Sequence, residues 1–173
     1  MTPFVVPGRE QLEHTPDIVG WIVAGLDAAD ALWKPGPERW SVLEVVGHLG
    51  EIEAEGFRGR VEALLSSERP ALPGIDPDRA AAAGAYTARP LPEALARFRA
   101  ERARSLEILD RVRPEHLARA GIHGDLGVVT LGNLLHEWPL HDLGHVRQIA
   151  ELVRARKYHP HIGPWRELYP MRP

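Results

Sequence analysis

The 173-residue sequence contains no cysteine. A disulfide framework, a thiolate nucleophile and a cysteine-rich zinc site are therefore excluded, so any metal must be held by nitrogen or oxygen ligands. No apolar stretch approaches the roughly 20 residues that a membrane-spanning helix requires. The first residues meet proline and glycine almost at once and so lack the apolar core of a secretion signal. We expect a soluble protein with no membrane partner and, by default, a cytoplasmic location.

A strong excess of positive charge is also missing. The 21 basic and 24 acidic residues give a net charge of −3, which offers no broad basic surface for nucleic acid. A small molecule is the expected partner instead. With 44% hydrophobic residues, the chain is long enough to form one domain with a substantial core, and we expect residues 1–173 to be that single domain.

Apolar residues recur mainly at helical spacing, and no segment alternates cleanly with the period of a strand, which predicts an all-α domain. Four helices are expected, over residues 16–33, 41–65, 92–113 and 131–157. Residues 66–90 are rich in proline, glycine and alanine and are predicted to form a long crossover between the second and third helices. The predicted fold is a four-helix bundle with this long crossover and a C-terminal extension.

Local signals predict where two of these helices begin. Thr15 is a suitable N-cap for the first helix, with Pro16 at its first position. Ser41 and Glu44 have the spacing of a capping box, in which each side chain bonds the backbone amide of the other residue. Trp21 falls on the apolar stripe of the first helix, so we expect it to face the core.

The fourth helix contains a local conflict. Thr130 is a good N-cap, but Pro139 lies inside the helical pattern and removes a backbone donor. A kink or a break is therefore expected just before His141. Beyond this helix, Trp165 and Tyr169 are expected to pack back across the bundle.

Two histidines on the fourth helix suggest a metal site. His141 and His145 are separated by one helical turn and so share a face. Zinc and nickel accept neutral imidazole, and catalytic sites typically have three protein ligands and an open position. His48, on the apolar stripe of the second helix, is a candidate for the third ligand. A chance surface pair is the alternative, since the chain has nine histidines; shared burial with Ile149 would favour a metal, because unpartnered buried imidazoles are costly.

Other polar residues near the pair have weaker claims. Glu137 lies one turn before His141 and could orient a metal-bound water, with a surface carboxylate as the alternative. Asp142 and Gln148 could accept the second N–H group of a ligating histidine. Arg58 and Arg147 are possible anchors for an anionic cosubstrate or ordinary surface residues. Five of the remaining histidines are expected to face solvent: His14, His116, His123, His159 and His161. His136 is expected to lie off the helix face that His141 and His145 share.

These residues together resemble the DinB/YfiT-like superfamily of metalloenzymes. The resemblance is carried by the run Trp40–Leu49 (WSVLEVVGHL) and, nearly one hundred residues later, by HxxxH followed by Gln-Ile. It extends over nearly the whole chain and implies a four-helix bundle, often a homodimer. It also implies a divalent metal, zinc or nickel most often, held by three histidines that correspond to His48, His141 and His145.

The resemblance implies three functions. Characterised members include transferases that use a low-molecular-weight thiol, such as bacillithiol or mycothiol, as cosubstrate. The leading expectation is therefore an S-transferase that acts on small electrophiles in detoxification or stress response, since a metal-bound thiol loses its proton. A metal-dependent hydrolase that uses bound hydroxide is the first alternative. A stress-associated binding protein without enzymatic activity is the second.

Overall fold

The structure is a computed structural model that describes residues 4–171. Its helices, in chain order, are α1 (Arg9–Ile22), α2 (Ala28–Leu32), α3 (Val42–Ile52), α4 (Gly59–Ser66), α5 (Pro77–Ala82), α6 (Leu91–Leu109) and α7 (Leu131–Val153). The π-helical turn Glu53–Arg58 joins α3 to α4 in one continuous helical segment. The short strands are β1 (Ala71–Leu72), β2 (Ala120–His123) and β3 (Gly127–Thr130).

Four long helical segments form the predicted four-helix bundle: α1, the continuous segment from α3 to α4, α6 and α7. Helix α3 packs against α6 and α7, and α1 packs against the same two helices. The apolar core divides into two clusters, one around Val45 and Phe98 and one around Leu12 and Trp138. Each fully buried large apolar side chain contributes about 1.5–3 kcal/mol relative to an exposed one. Among the described residues, no helix is both long enough and apolar enough to cross a membrane.

The predicted helix starts at Ser41 and Thr130 are confirmed. The Ser41 amide donates to Glu44 Oε2 at 2.8 Å, and the Glu44 amide donates to Ser41 Oγ at 3.2 Å. Lys34 Nζ contacts the same carboxylate at 2.6 Å. At α7, the Asn133 amide donates to Thr130 Oγ1 at 3.1 Å. These caps satisfy amides that have no partner within the helix.

The predicted bounds of the first helix are wrong. Helix α1 begins at Arg9 and ends at Ile22, so Pro16 lies inside it rather than at its start. A proline within a helix leaves the carbonyl four residues earlier, here that of Leu12, without its usual donor. Arg102 of α6 donates a hydrogen bond to this carbonyl. A tertiary contact therefore compensates for the proline.

Helix α7 runs through Pro139 without the break that the sequence suggested. The proline ring packs against Gly8, where a Cβ atom would lie only 2.4 Å from Pro139 Cγ. Gly8 also has φ +71°, which is unfavourable for other residues. A glycine at this position therefore accommodates the proline.

Three aromatic side chains predicted to pack against the bundle are exposed instead. Trp21 is 80% exposed because the buried positions of α1 are Leu12, Thr15, Pro16 and Val19. Trp165 and Tyr169 are 62% and 52% exposed. The C-terminal extension thus does not use these two rings to cover the bundle.

The crossover between α4 and α6 and the connection between α6 and α7 contain a small sheet that was not predicted. Strand β1 pairs in parallel with β2, with Ala71 opposite Ile122, and β2 pairs antiparallel with β3. Strands of two and four residues are too short for a clear alternation of apolar and polar positions. The sheet holds the segment after β1 beside the turn between β2 and β3.

Candidate metal centre

Three histidine side chains from two helices meet at one point. His48 comes from α3, and His141 and His145 come from α7. The Nε2 atom of His141 lies 3.1 Å from Nε2 of His48 and 3.2 Å from Nε2 of His145. Ring nitrogens of all three histidines lie within 4.8 Å of one another. The structure therefore brings together the three side chains that the sequence suggested as ligands.

The spacing of these nitrogens fits a shared divalent ion. Zinc–nitrogen bonds of 2.0–2.1 Å place neighbouring ligand atoms about 3.3 Å apart in a tetrahedral site and about 3.0 Å apart in an octahedral one. The distances of 3.1 and 3.2 Å fall between these values. The geometry therefore suits an ion such as zinc or nickel and does not choose between them.

The surroundings keep two of these imidazoles, those of His48 and His145, uncharged. Burial lowers the pKa of His48 to about 3, with a further contribution from the neighbouring histidines. Burial and His141 lower the pKa of His145 to about 4, although hydrogen bonding to Gln148 opposes the shift. A neutral imidazole has a free lone pair, which metal coordination requires.

Two of the histidines are oriented through their other ring nitrogen. His145 Nδ1 lies 2.9 Å from Gln148 Oε1, which confirms the predicted contact with Gln148. His48 Nδ1 lies 3.1 Å from Tyr86 Oη. When Nε2 binds a metal, each Nδ1–H donates to these oxygens and fixes the ring orientation.

Tyr86 was not identified from the sequence. It lies in the crossover, in a short 3-10 turn (Ala85–Thr87), and its backbone packs closely on α3. A Cβ at Gly47 would lie 2.4 Å from the Tyr86 carbonyl oxygen, so a glycine is required for this approach. Burial and nearby acidic residues raise the pKa of Tyr86 to about 12. Its side chain therefore stays a neutral phenol.

His141 differs from the other two histidines. Within residues 4–171, its buried Nδ1 atom has no hydrogen-bond partner. Asp142 Oδ1 lies 3.9 Å from this atom, too far for a hydrogen bond. Asp142, suggested as an acceptor for the second N–H group of a ligating histidine, therefore forms no hydrogen bond with His141.

Asp142 instead belongs to a buried charged network below the histidines. Arg102 Nε donates to Glu53 Oε1 at 2.7 Å, and Arg102 Nη2 donates to Asp142 Oδ2 at 2.8 Å. Trp138 Nε1 also donates to Glu53, at 3.1 Å. All three charged side chains are 1–2% exposed. One guanidinium thus forms ion pairs with two buried carboxylates.

A cavity of about 350 Å³ adjoins the three histidines. Trp40 and Phe57 form part of its apolar wall: the Trp40 ring is parallel to that of His145, and Phe57 is edge-on to His141 at 5.2 Å. Polar residues line the cavity as well: Arg60, His123, Asp125 and Glu137. The cavity thus combines apolar surface with convergent polar groups, and such groups fix the orientation of ligands in small-molecule sites.

Glu137 lines this cavity, as its position one turn before His141 suggested. The residue as a whole is exposed, but partial burial of its carboxyl raises its pKa, against the attraction of His141 and Arg60. A carboxyl with a raised pKa in a cavity is suited to proton transfer. Its role toward a metal-bound water stays a prediction.

Several other sequence expectations can be compared with the structure. His123 was expected to face solvent from a loop, but it lies on β2, is half-buried and lines the cavity. His136 is exposed and away from the three histidines, as predicted. Arg58 forms a salt bridge with Glu101 and does not line the cavity, and Arg147 lines a different one. His14 and His161 are exposed, whereas His116 and His159 are half-buried.

Comparison with known proteins supports the fold. A family model described as the DinB superfamily matches residues 11–149. Among solved structures, the chain is similar to YfiT from Bacillus subtilis, described as a probable metal-dependent hydrolase with an unusual four-helix bundle topology. The two are 24% identical with a TM-score of 0.76, and the match covers 85% of this chain and 84% of YfiT. No curated protein gives a significant match.

Proposed function

The chain belongs to the DinB superfamily, and from that premise we propose that it is a divalent-metal-dependent enzyme acting on small molecules. The proposed ligands are His48, His141 and His145. The observation that carries the proposal is the convergence of their Nε2 atoms, at 3.1 and 3.2 Å, beside a cavity large enough for a small substrate. A bound divalent ion would supply a Lewis acid that lowers the pKa of a coordinated water or thiol.

The chain's own residues prepare the site for this chemistry. Tyr86 and Gln148 hold two imidazole rings in position, so little reorganisation is needed when a ligand arrives. Trp40 and Phe57 place apolar ring surface beside the histidines. Glu137 can hold a proton within the same cavity.

The specific activity we propose is transfer of a low-molecular-weight thiol to a small electrophile. The chain has no cysteine, so the sulfur must come from a cosubstrate. Three neutral imidazole ligands would leave a bound ion its full double charge, which would favour the thiolate. In the reaction, the sulfur forms a bond to an electrophilic carbon, the leaving group departs with its bonding electrons, and the thiol proton passes to solvent. The apolar wall suits the organic part of the electrophile.

The activity can be tested with purified protein loaded with zinc or nickel. A thiol and 1-chloro-2,4-dinitrobenzene are supplied, and formation of the coloured conjugate is followed. We expect turnover that is lost with a chelator and in His48→Ala, but kept in His136→Ala, which removes a histidine outside the cluster. Conjugation no faster than the uncatalysed rate with several thiols would contradict the transferase proposal.

Hydrolysis is a second candidate, favoured by Glu137. A carboxylate at the cavity can act as general base toward a water molecule. The similarity to YfiT, described as a probable metal-dependent hydrolase, points to the same reaction class. Metal-dependent ester turnover without thiol, reduced in Glu137→Gln, would favour hydrolysis. Absence of stoichiometric metal after loading would contradict both reactions and favour a binding protein.

Three further features stay predictions: a cytoplasmic location, a homodimer and a single domain over residues 1–173. Light scattering measures the mass in solution, cell fractionation the location, and limited proteolysis the domain bounds. A monomeric mass of 19.2 kDa would contradict the homodimer.

A further inference from the structure

We propose that Arg60 makes the site selective for small organic acids, by binding a substrate carboxylate while the reactive end of the molecule faces the three histidines. The inference rests on the proposed function, because it assigns the substrate class of the same cavity. It does not depend on whether the reaction is thiol transfer or hydrolysis.

Arg60 faces the cavity with unused hydrogen-bonding capacity. Its Nη2 atom donates to the carbonyl of Pro73 at 2.8 Å, which anchors one edge of the guanidinium. Its Nε atom is buried and, within residues 4–171, has no hydrogen-bond partner. A buried N–H without an acceptor is costly, so a ligand that supplies an acceptor gains affinity. The fixed fork of a guanidinium matches a carboxylate.

An internal ion pair does not account for Arg60. Glu137 lines the same cavity and attracts Arg60, but the two residues form no salt bridge in the described part of the chain. Burial lowers the pKa of Arg60, and Glu137 only partly offsets this effect. The cation is thus exposed to the cavity rather than neutralised by a direct contact.

A second donor lines the same cavity. His123 Nδ1 accepts a hydrogen bond from the Asp125 amide at 3.2 Å, so Nε2 carries the ring proton. Both residues line the cavity with Arg60. The His123 Nε2–H group can therefore donate to an anionic ligand beside Arg60.

The charges in the cavity favour an anion once a metal is bound. A divalent ion held by neutral histidines would carry two positive charges, and Arg60 carries one more. Glu137 and Asp125 each supply one negative charge. The Asp125 side chain is 84% exposed, so solvent weakens its contribution. Ile52 and Ile75 give the cavity an apolar surface as well, which suits a hydrocarbon linker. The expected ligand has a carboxylate at one end and a thiol or electrophilic carbon at the other.

The test compares carboxylates with their neutral counterparts. Protein loaded with Co²⁺ is titrated with ω-mercaptocarboxylic acids of two to six carbons and with the matching mercaptoalcohols, and binding is followed by the thiolate-to-cobalt absorption band. At the best chain length, we expect the acid to bind about tenfold to a hundredfold more tightly than the alcohol. Arg60→Gln should remove this preference while alcohol binding is unchanged. Arg58→Gln should keep it, because Arg58 pairs with Glu101 away from the cavity.

A second arm separates failure of this inference from failure of the proposed function. Metal-free protein is titrated calorimetrically with 3-phenylpropionate and with 3-phenylpropanol, whose aromatic ring suits the apolar wall. If Co²⁺ or thiols do not bind but the carboxylate preference and its loss in Arg60→Gln are seen here, the metal proposal fails and the role of Arg60 stands. Equal affinities for acids and alcohols in both arms, or an unchanged preference in Arg60→Gln, would overturn the inference.

Discussion

Replacement of Arg102 by methionine tests the buried charged network. Methionine keeps an apolar stem of similar length but removes the cation that contacts Glu53 and Asp142. Both carboxylates are 1% exposed, so solvent cannot replace the guanidinium. Removal of one partner from a buried ion pair costs about 3–5 kcal/mol. Here two carboxylates and the carbonyl of Leu12 lose the guanidinium, and among the described residues only Glu53 keeps another donor, Trp138 Nε1, so we expect a loss of about 5 kcal/mol in the free energy of unfolding.

This loss is large relative to the stability of a domain, which is about 5–15 kcal/mol. At roughly 2–4 °C per kcal/mol for a protein of this size, the melting temperature should fall by about 10–20 °C. Urea unfolding followed by circular dichroism measures the free energy. The matched control is Arg104→Met on the same helix, whose side chain is 63% exposed and whose surface ion pair is worth about 0–1 kcal/mol.

A triple variant identifies the cause of the loss. Glu53→Gln and Asp142→Asn added to Arg102→Met replace the two buried charges with amides of similar shape. If uncompensated charge is the main cost, the triple variant should be more stable than Arg102→Met. If the free energy of unfolding of Arg102→Met lies within about 1 kcal/mol of the wild-type value, the loss is no larger than that of a surface ion pair. That result would refute the reasoning.

Three more predictions concern the metal centre and its support. Zinc or nickel at one hundred times its dissociation constant should add about 2.7 kcal/mol to the free energy of unfolding and raise the melting temperature by roughly 5–11 °C. Differential scanning fluorimetry measures this shift. Alanine at any of the three proposed ligands should abolish the shift, whereas His136→Ala should keep it. Gly47→Ala should destabilise the fold by about 1–3 kcal/mol in urea unfolding, because its Cβ would lie 2.4 Å from the Tyr86 carbonyl oxygen. The control is Gly144→Ala, whose Cβ meets nothing within 4 Å and which should stabilise the helix or leave its stability unchanged. Tyr86→Phe should weaken metal binding about tenfold to a hundredfold by calorimetry without unfolding the protein, and unchanged affinity would contradict an orienting role for Tyr86.

The histidine cluster could be anticipated because the relevant geometry is local. His141 and His145 are one turn apart on a continuous helix, so their shared face follows from the helical period alone. The position of His48 on the inner face of α3 follows from the apolar residues around it and from the capping box that fixes the start of the helix. The pairing of the two helices came from the family resemblance, since spacing along one helix does not determine its neighbour.

Other features depend on contacts between distant parts of the chain. Pro16 was placed at a helix start because a proline inside a helix is unfavourable, but Arg102, 86 residues later, occupies the carbonyl that the proline frees. Tyr86 lies in a crossover without helical or strand periodicity, and only the packed structure shows its contact with His48. His123 reaches the cavity through a strand that is too short to recognise.

Arg60 was missed for a different reason, which lies in the helix itself. At 100° per residue, a residue twelve positions after His48 would point about 120° away from it around a regular α-helix. The π-helical turn Glu53–Arg58 closes hydrogen bonds to the fifth residue, which adds one residue to a turn and removes about 100° of rotation. Arg60 then lies about 20° from the direction of His48 by the same arithmetic, and both residues line one cavity. Gly56 makes room for this turn, since a Cβ there would lie 2.6 Å from Ile52 Cδ1. The irregular turn is thus the feature that allows one helical segment to supply both a proposed metal ligand and a proposed carboxylate-binding residue.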